Sequence, residues 1–430
     1  MTTLTTREQV ALWLHVAVRS FGGPAGQIAV IHRLVVEERK LLSEERFLHA
    51  LNFCMLLPGP EAQQLATYVG WLLGKWRGGV LAGSLFVLPG FLSILILSFV
   101  YVAGGELALV QGIFYGLKPA IVAVVLAALL RISRKSLRGV FHWGMAAVAF
   151  VSVYFFNTPF PFVVIGAALA GLVHGRFQGS DPLPVELGAG FPGHGETLRT
   201  LSVWLCLWAL PIVVVILAFG EDSTFHALNF FFSKMAMVTF GGAYSALSYV
   251  AQQAVEAFGW VSGREMMDGL AIAETTPGPL IQTVQFVGFM AGYRFPDLAS
   301  PYLSAFVGSV LTTWVTYAPC FLWIFTFAPY VEFIRGRKAF SDALRAITAA
   351  VVGVILNLSV WFVLKALFLE SVLVQTGVLS FEYPRLESVD WCAAGICAVS
   401  LILQFWLKRG LFTILGVCVA LGVLTRSVGG

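Results

Sequence analysis

The chain has 430 residues, of which 58% are hydrophobic and only 12% charged, with a net charge of +4 and a mean hydropathy of +0.84. Soluble domains carry about a quarter charged residues, so this composition excludes an ordinary soluble protein, and continuous apolar runs without period-two alternation exclude a membrane β-barrel. No basic run interleaved with aromatics points to nucleic acid, and the six cysteines sit singly in apolar stretches, where they act as small hydrophobes.

Taken in order, the segments predict an all-α polytopic membrane protein. The first eight residues lack the basic region and cleavage site of a signal peptide, so the first helix is expected to direct its own insertion. That segment, residues 8–35, is interrupted at Phe21-Gly22-Gly23-Pro24. A charged loop follows, then a second segment over 47–73 split at Pro58-Gly59-Pro60. Apolar runs long enough to span a bilayer are predicted near 79–103, 111–132, 139–156 and 161–173. A breaker-rich stretch over 175–200 reads as a linker, and a single span follows at 201–219. The remaining segments are predicted over 226–254, 265–292 (split at Pro277-Gly278-Pro279), 301–331, 340–369, 389–407 and 411–424.

The two interruptions recur at one offset. Phe21-Gly22-Gly23 returns as Phe240-Gly241-Gly242 and Pro58-Gly59-Pro60 as Pro277-Gly278-Pro279, each 219 residues on. Ser43 and Ser262, and Gln63 and Gln282, keep the same register. Two homologous repeats are therefore expected, one over 1–175 and one over 221–430, joined by the linker 176–200 and the extra span 201–220. Lys and Arg mark cytoplasmic loops. Arg131, Arg134, Lys135 and Arg138 place one helix end inside, and Arg335, Arg337 and Lys338 place a non-equivalent end there too. The repeats are accordingly expected to be inverted. The side of the N-terminus, and whether the Pro-Gly-Pro segments cross or re-enter, stay open.

Broken backbone at membrane depth survives only where it is buried in protein or lines a wet cavity. Paired Gly/Pro interruptions in two halves point to the binding site of a secondary transporter. Pro cannot continue a helix, but it suits the first turn of the next one. A half-helix starting after Pro60, and another after Pro279, would aim its positive end at an anion. The candidate binding residues are Gly22, Gly23, Pro58, Gly59, Pro60, Gln63 and Gln64 in the first copy, with Arg19 close by. In the second they are Gly241, Gly242, Thr275, Thr276, Pro277, Gly278, Pro279, Gln282 and Thr283. The alternative for the breaks is a packing kink, and for the Phe-Gly-Gly motifs close helix contact. Glu61 and Glu274 are ionisable residues at depth and so candidate proton carriers; the alternative is a structural acid. Lys118 and Arg345 read as anion attractors or as interfacial anchors. No phosphate-binding loop, metal-ligand cluster or catalytic triad is present, so neither an enzyme nor a cofactor or metal is expected.

Phe21-Gly22-Gly23-Pro24, the strings from Leu42 to Phe47 and from Leu56 to Trp71, Phe86-Val87-Leu88-Pro89-Gly90-Phe91, and Thr275 to Thr283 together resemble the chromate ion transporter family, in its long, two-domain form. The resemblance covers essentially the whole chain, with Ala243 standing where the first copy has Pro24. It implies a multi-pass bacterial inner-membrane protein that exports chromate and confers resistance, driven by membrane potential or by proton antiport. Expected partners are chromate, sulfate as a competitor of the same shape and charge, the lipid bilayer, and a second copy in a homodimer. The alternatives are a sulfate or related oxyanion uptake carrier and a non-transporting scaffold or lipid-handling protein.

Overall fold

The computed structural model describes residues 4–21, 23–55, 57–105, 107–177, 194–240, 243–330, 338–377 and 379–428. Gly22, Gly241 and Gly242, most of the linker, and Arg335 and Arg337 lie outside the described residues. The rest is overwhelmingly helical. The first half contains α1 (Thr6–Arg19), α2 (Gly23–His32), α3 (Glu44–Cys54), α4 (Glu61–Ala103, interrupted at Gly74 and Lys75), α5 (Ala108–Ser136), α6 (Val140–Phe156) and α7 (Phe160–Phe177). Next comes α8 (His194–Phe219). The second half contains α9 (Thr224–Val238), α10 (Ala243–Ala251), α11 (Gly263–Thr275), α12 (Thr283–Arg294), α13 (Pro301–Phe327), α14 (Lys338–Leu367), α15 (Trp391–Leu401) and α16 (Leu411–Val428). Five of these helices are long and apolar enough to cross a membrane by themselves: α4, α5, α8, α13 and α14.

The stretch between α14 and α15 lies between two predicted membrane segments. It holds an antiparallel hairpin, β1 (Ser371–Thr376) and β2 (Leu379–Pro384). Val372 and Val374 alternate with Leu373 and Gln375, and Gly377 takes the turn at φ +61°, a value that favours Gly.

The duplication extends into backbone detail. A π-helical turn at Arg33–Glu38 follows α2, and another at Gln252–Ala257 follows α10. After each, the chain reverses through a left-handed residue, Lys40 in one copy and Gly259 in the other. Leu41 N–H then bonds Val35 O, and Trp260 N–H bonds Ala254 O, both at 2.8 Å. Ser43 caps α3 by accepting from Arg46 N–H, and Ser262 accepts from Glu265 N–H before α11. Every one of these pairs is 219 residues apart.

Two compact units form, and each draws on both halves of the chain. The first comprises 1–96, 179–247 and 276–338; the second comprises 97–178, 248–275 and 339–430. The first unit packs Leu12, Trp13 and Val16 of α1 with Phe47 of α3, Leu65 of α4 and Ile324 of α13, all buried. In the second, α5 lies against α16 through Gly112, Gly116 and Gly422. A Cβ on Gly116 would run into the Cys418 carbonyl, and one on Gly422 into the backbone of Gly112 and Gly116. Gly112 and Gly116 are the small-xxx-small spacing that lets membrane helices approach closely.

Gly116→Leu should therefore force α5 and α16 apart and destabilise by ~1–3 kcal/mol or more. Gly144→Leu, at a position with nothing near its Cβ direction, should not. Thermal unfolding of the purified protein in detergent compares them; equal melting temperatures would rule out a stabilising role for this helix contact.

Candidate functional site

The site is built where two first helices end. α1 stops at Ser20, whose hydroxyl turns back to donate to Val16 O at 2.7 Å. α9 stops at Thr239, whose hydroxyl donates to Met235 O at 2.6 Å. Ser20 and Thr239 are fully or nearly fully buried and occupy equivalent places in the two copies. Each leaves its own carbonyl at a helix end without an intrahelical partner.

Those two carbonyls are taken up by the breaks of the opposite copy. Gly59 N–H donates to Thr239 O at 2.8 Å, and Gly278 N–H donates to Ser20 O at 2.9 Å. The exchange is reciprocal: break one is tied to copy two and break two to copy one. Both glycines hold positive φ, +122° at Gly59 and +107° at Gly278. The packing is exchanged as well. A Cβ on Gly59 would meet Cys320 Sγ of α13 at 2.9 Å, and one on Gly278 would meet Gly90 Cα of α4 at 3.2 Å. The first unit holds all of these residues.

Beyond each break a half-helix starts, as expected, but the two are built differently. The first is α-helical from Glu61. The second opens with a 3-10 turn, Leu280–Gln282, before α12. Gln282 is fully engaged: its Oε1 accepts from Tyr317 OH at 2.8 Å and its Nε2 donates to Gln285 Oε1 at 2.8 Å. Gln285 in turn donates to Phe91 O, and Gln27 donates to Gly278 O at 2.7 Å. The equivalent Gln63 is wholly buried, yet neither its Oε1 nor its Nε2 has a hydrogen-bond partner. Beside it, Gln64 Nε2 donates to Pro58 O at 2.7 Å, while its Oε1 is buried without a partner. Buried amides left open in this way cost ~1–3 kcal/mol each.

The other predicted residues fall in several places. Gly23 begins α2 at φ +73°. Thr283 is buried and bonds Leu280 O, Thr275 bonds Ala271 O and Ile272 O within α11, and Thr276 is buried. Arg19 is exposed at the end of α1. Glu61 is half-buried in the first unit; Glu274 is buried in α11, in the second. Lys118, read from the sequence as an anion attractor or an interfacial anchor, has an acidic partner in the fold. It pairs with Asp268 inside the second unit, at 3.2 Å. Arg345 is exposed beside Asp342. Asp268 escaped selection although it stands in the apolar run Met266–Ala273, where the depth argument applied to Glu274 also holds. A cavity of about 340 Å³ in the second unit, lined by Asn157, Gln252, Glu256, Trp361 and Glu382 among others, includes none of the residues selected.

The reciprocal geometry predicts matched effects. Gly59→Ala and Gly278→Ala each force a side chain into a conformation costing ~1–3 kcal/mol, and each adds a clash with the opposite copy. Both should lower the melting temperature in detergent. A neutral result at either position would show that its break is not held as described.

Comparison with known proteins places both halves of the chain in one family. The family model described as chromate transporter matches residues 8–172 and 226–423. A chromate transport protein from Pseudomonas aeruginosa is 31% identical over 80% of this chain and 78% of its own length. A probable chromate transport protein from Synechococcus elongatus is 26% identical over 80% of this chain and 81% of its own. An uncharacterized transporter from Methanocaldococcus jannaschii is 26% identical over 82% and 83%. No solved structure matches the chain. The family is one of transport proteins rather than enzymes. With both halves matched and the relatives covered over most of their length, the chain is a membrane protein that belongs to the chromate transporter family.

Proposed function

We propose that the chain exports chromate from the cytoplasm across the inner membrane, by alternating access around the two breaks. The observation that carries this reading is the open amide of Gln63. It lies in the first turn of a half-helix whose positive end suits an anion. An amide donor kept buried without a partner is the expected state of a binding group awaiting an oxyanion. Gly59, Pro60, Gln63 and Gln64 form the substrate contact in this reading, and Pro277, Gly278, Gln282 and Thr283 form the tied counterpart that holds it in place. The repeats are read as inverted, on the loop charges; reciprocal exchange between copies is what a pseudo-twofold axis requires, whichever way that axis runs.

A potential negative inside favours exit of an anion by ~2.3 kcal/mol per charge per 100 mV. Chromate, a dianion, therefore leaves down a steep gradient, and an uptake carrier for sulfate would have to work against it. Proton antiport adds to the same drive; Glu61 and Glu274 are the acids for which the sequence alone raised that role.

Uptake of labelled chromate into everted membrane vesicles, energised by an imposed potential, tests the reading. Gln63→Leu should cut flux about tenfold or more at sub-saturating chromate, a loss of ~1.4 kcal/mol. It should leave thermal stability unchanged or raised, because an apolar residue removes an open buried amide. Gln282→Leu should do the reverse, lowering stability by stranding Tyr317 and Gln285. Full flux in Gln63→Leu would sink the assignment, and labelled sulfate entering in place of chromate would favour the other oxyanion.

A further inference from the structure

Asp268 sits in the middle of α11, in the second unit, at 2% exposure. Lys118 Nζ on α5 lies 3.2 Å from its Oδ2, and the Tyr101 hydroxyl on α4 donates to the same oxygen at 2.9 Å. The other oxygen, Oδ1, is buried and accepts no hydrogen bond. Glu265, one turn earlier on α11, adds a like charge nearby. Lys118 and Tyr101 therefore face one oxygen of Asp268, and Glu265 stands three residues away on the same helix face.

Removing two ions from water is repaid only when their remaining lone pairs and protons are also satisfied. A pair kept purely for stability would spread its donors over both oxygens. Here Lys118 and Tyr101 converge on Oδ2, and Oδ1 is left as an open proton-accepting position. Ionisable residues at membrane depth mark substrate or ion pathways, proton relays or counter-ions, and an acid with one oxygen open fits the relay. α11 also continues through Thr275 directly into Thr276 and Pro277, so Asp268 stands on the helix that feeds the second break.

We propose that Asp268 is the proton-binding group of the transport cycle, with Lys118 as its counter-ion and Tyr101 as its positioning residue. This rests on reading the chain as a chromate exporter. A proton arriving at Oδ1 forms one O–H bond and cancels the attraction that holds Lys118; its departure restores the pair. The proton travels inward as chromate travels outward, and no other bond is made or broken. Both movements carry charge in the same sense, so the membrane potential drives both.

The test uses full-length protein in everted vesicles with a pH-sensitive dye in the lumen. In the wild type, chromate uptake should be accompanied by loss of luminal protons, and an acid lumen should speed uptake at zero potential. In Asp268→Asn, uptake under an imposed potential should persist while acid stimulation and chromate-linked proton movement are lost. Removing one member of a buried pair can unfold the protein, so Asp268→Asn with Lys118→Met, which removes both charges, is measured alongside. That double variant should match the wild type in abundance and melting temperature and remain uncoupled. Tyr101→Phe keeps both charges but withdraws a donor from the carboxylate, so the midpoint of acid stimulation should move to higher pH. The proposal is overturned if the double variant still moves protons with chromate, if the Tyr101→Phe midpoint is unchanged, or if wild-type uptake under potential leaves luminal pH constant. A wild type that takes up no chromate under either gradient overturns the exporter reading along with this one.

Discussion

A peptide group cannot be left unmatched in hydrocarbon, and that constraint governs how this chain is put together. Each Pro-Gly-Pro sequence stops a helix where no water is at hand to satisfy the freed backbone. The solution is two hydrogen bonds, from Gly59 to Thr239 and from Gly278 to Ser20. Ser20 and Thr239 mark where the first helices must end. The intervening Gly of each motif is required because its φ is positive. Gly90 is needed on α4 because a side chain there would strike the Pro277 carbonyl.

Within this shared frame the two copies have diverged. Gln282 is held from both sides by Tyr317 and Gln285, whereas Gln63 has both amide atoms open. Lys118 pairs with Asp268, whereas Arg345, its match in the second copy where Leu117-Lys118 returns as Leu344-Arg345, is exposed beside an acid on its own helix. Duplication supplies the symmetric backbone lattice, and the side chains around it then decide which of the two equivalent amides stays open. A wholly symmetric version would either leave two costly amides open or leave none available.

Much of this was legible in the sequence because Gly and Pro act through the backbone. Their positions at one offset announced two breaks, and the half-helices begin where Pro60 and Pro279 allow. The exposure of Arg19, and the difference between Gln63 and Gln282, could not be read in the same way. The two glutamines are the same residue in the same register, and only Tyr317 and Gln285 from elsewhere in the fold distinguish them. Asp268 carries the same depth signal in the sequence as Glu274, but its partners, Lys118 and Tyr101, lie about 150 residues earlier in the chain and only the fold brings them together. The hairpin at Ser371–Pro384 is a short alternation of Val and Leu set between two long apolar segments, too brief to stand out beside them.

The exchanged bonds also bear on how the protein matures. A chain grows at ~5–20 residues per second, so Thr239 is made roughly 10–40 s after Gly59. Through that interval the first break has its donor but not its acceptor. The N-terminal half must therefore wait, as a provisional structure in the insertion machinery or the lipid, until the second half arrives to close it. Gly278, by contrast, emerges to find Ser20 already in place. The two bonds are alike in geometry and opposite in timing, so the same backbone defect waits for its partner in one copy and meets it at once in the other.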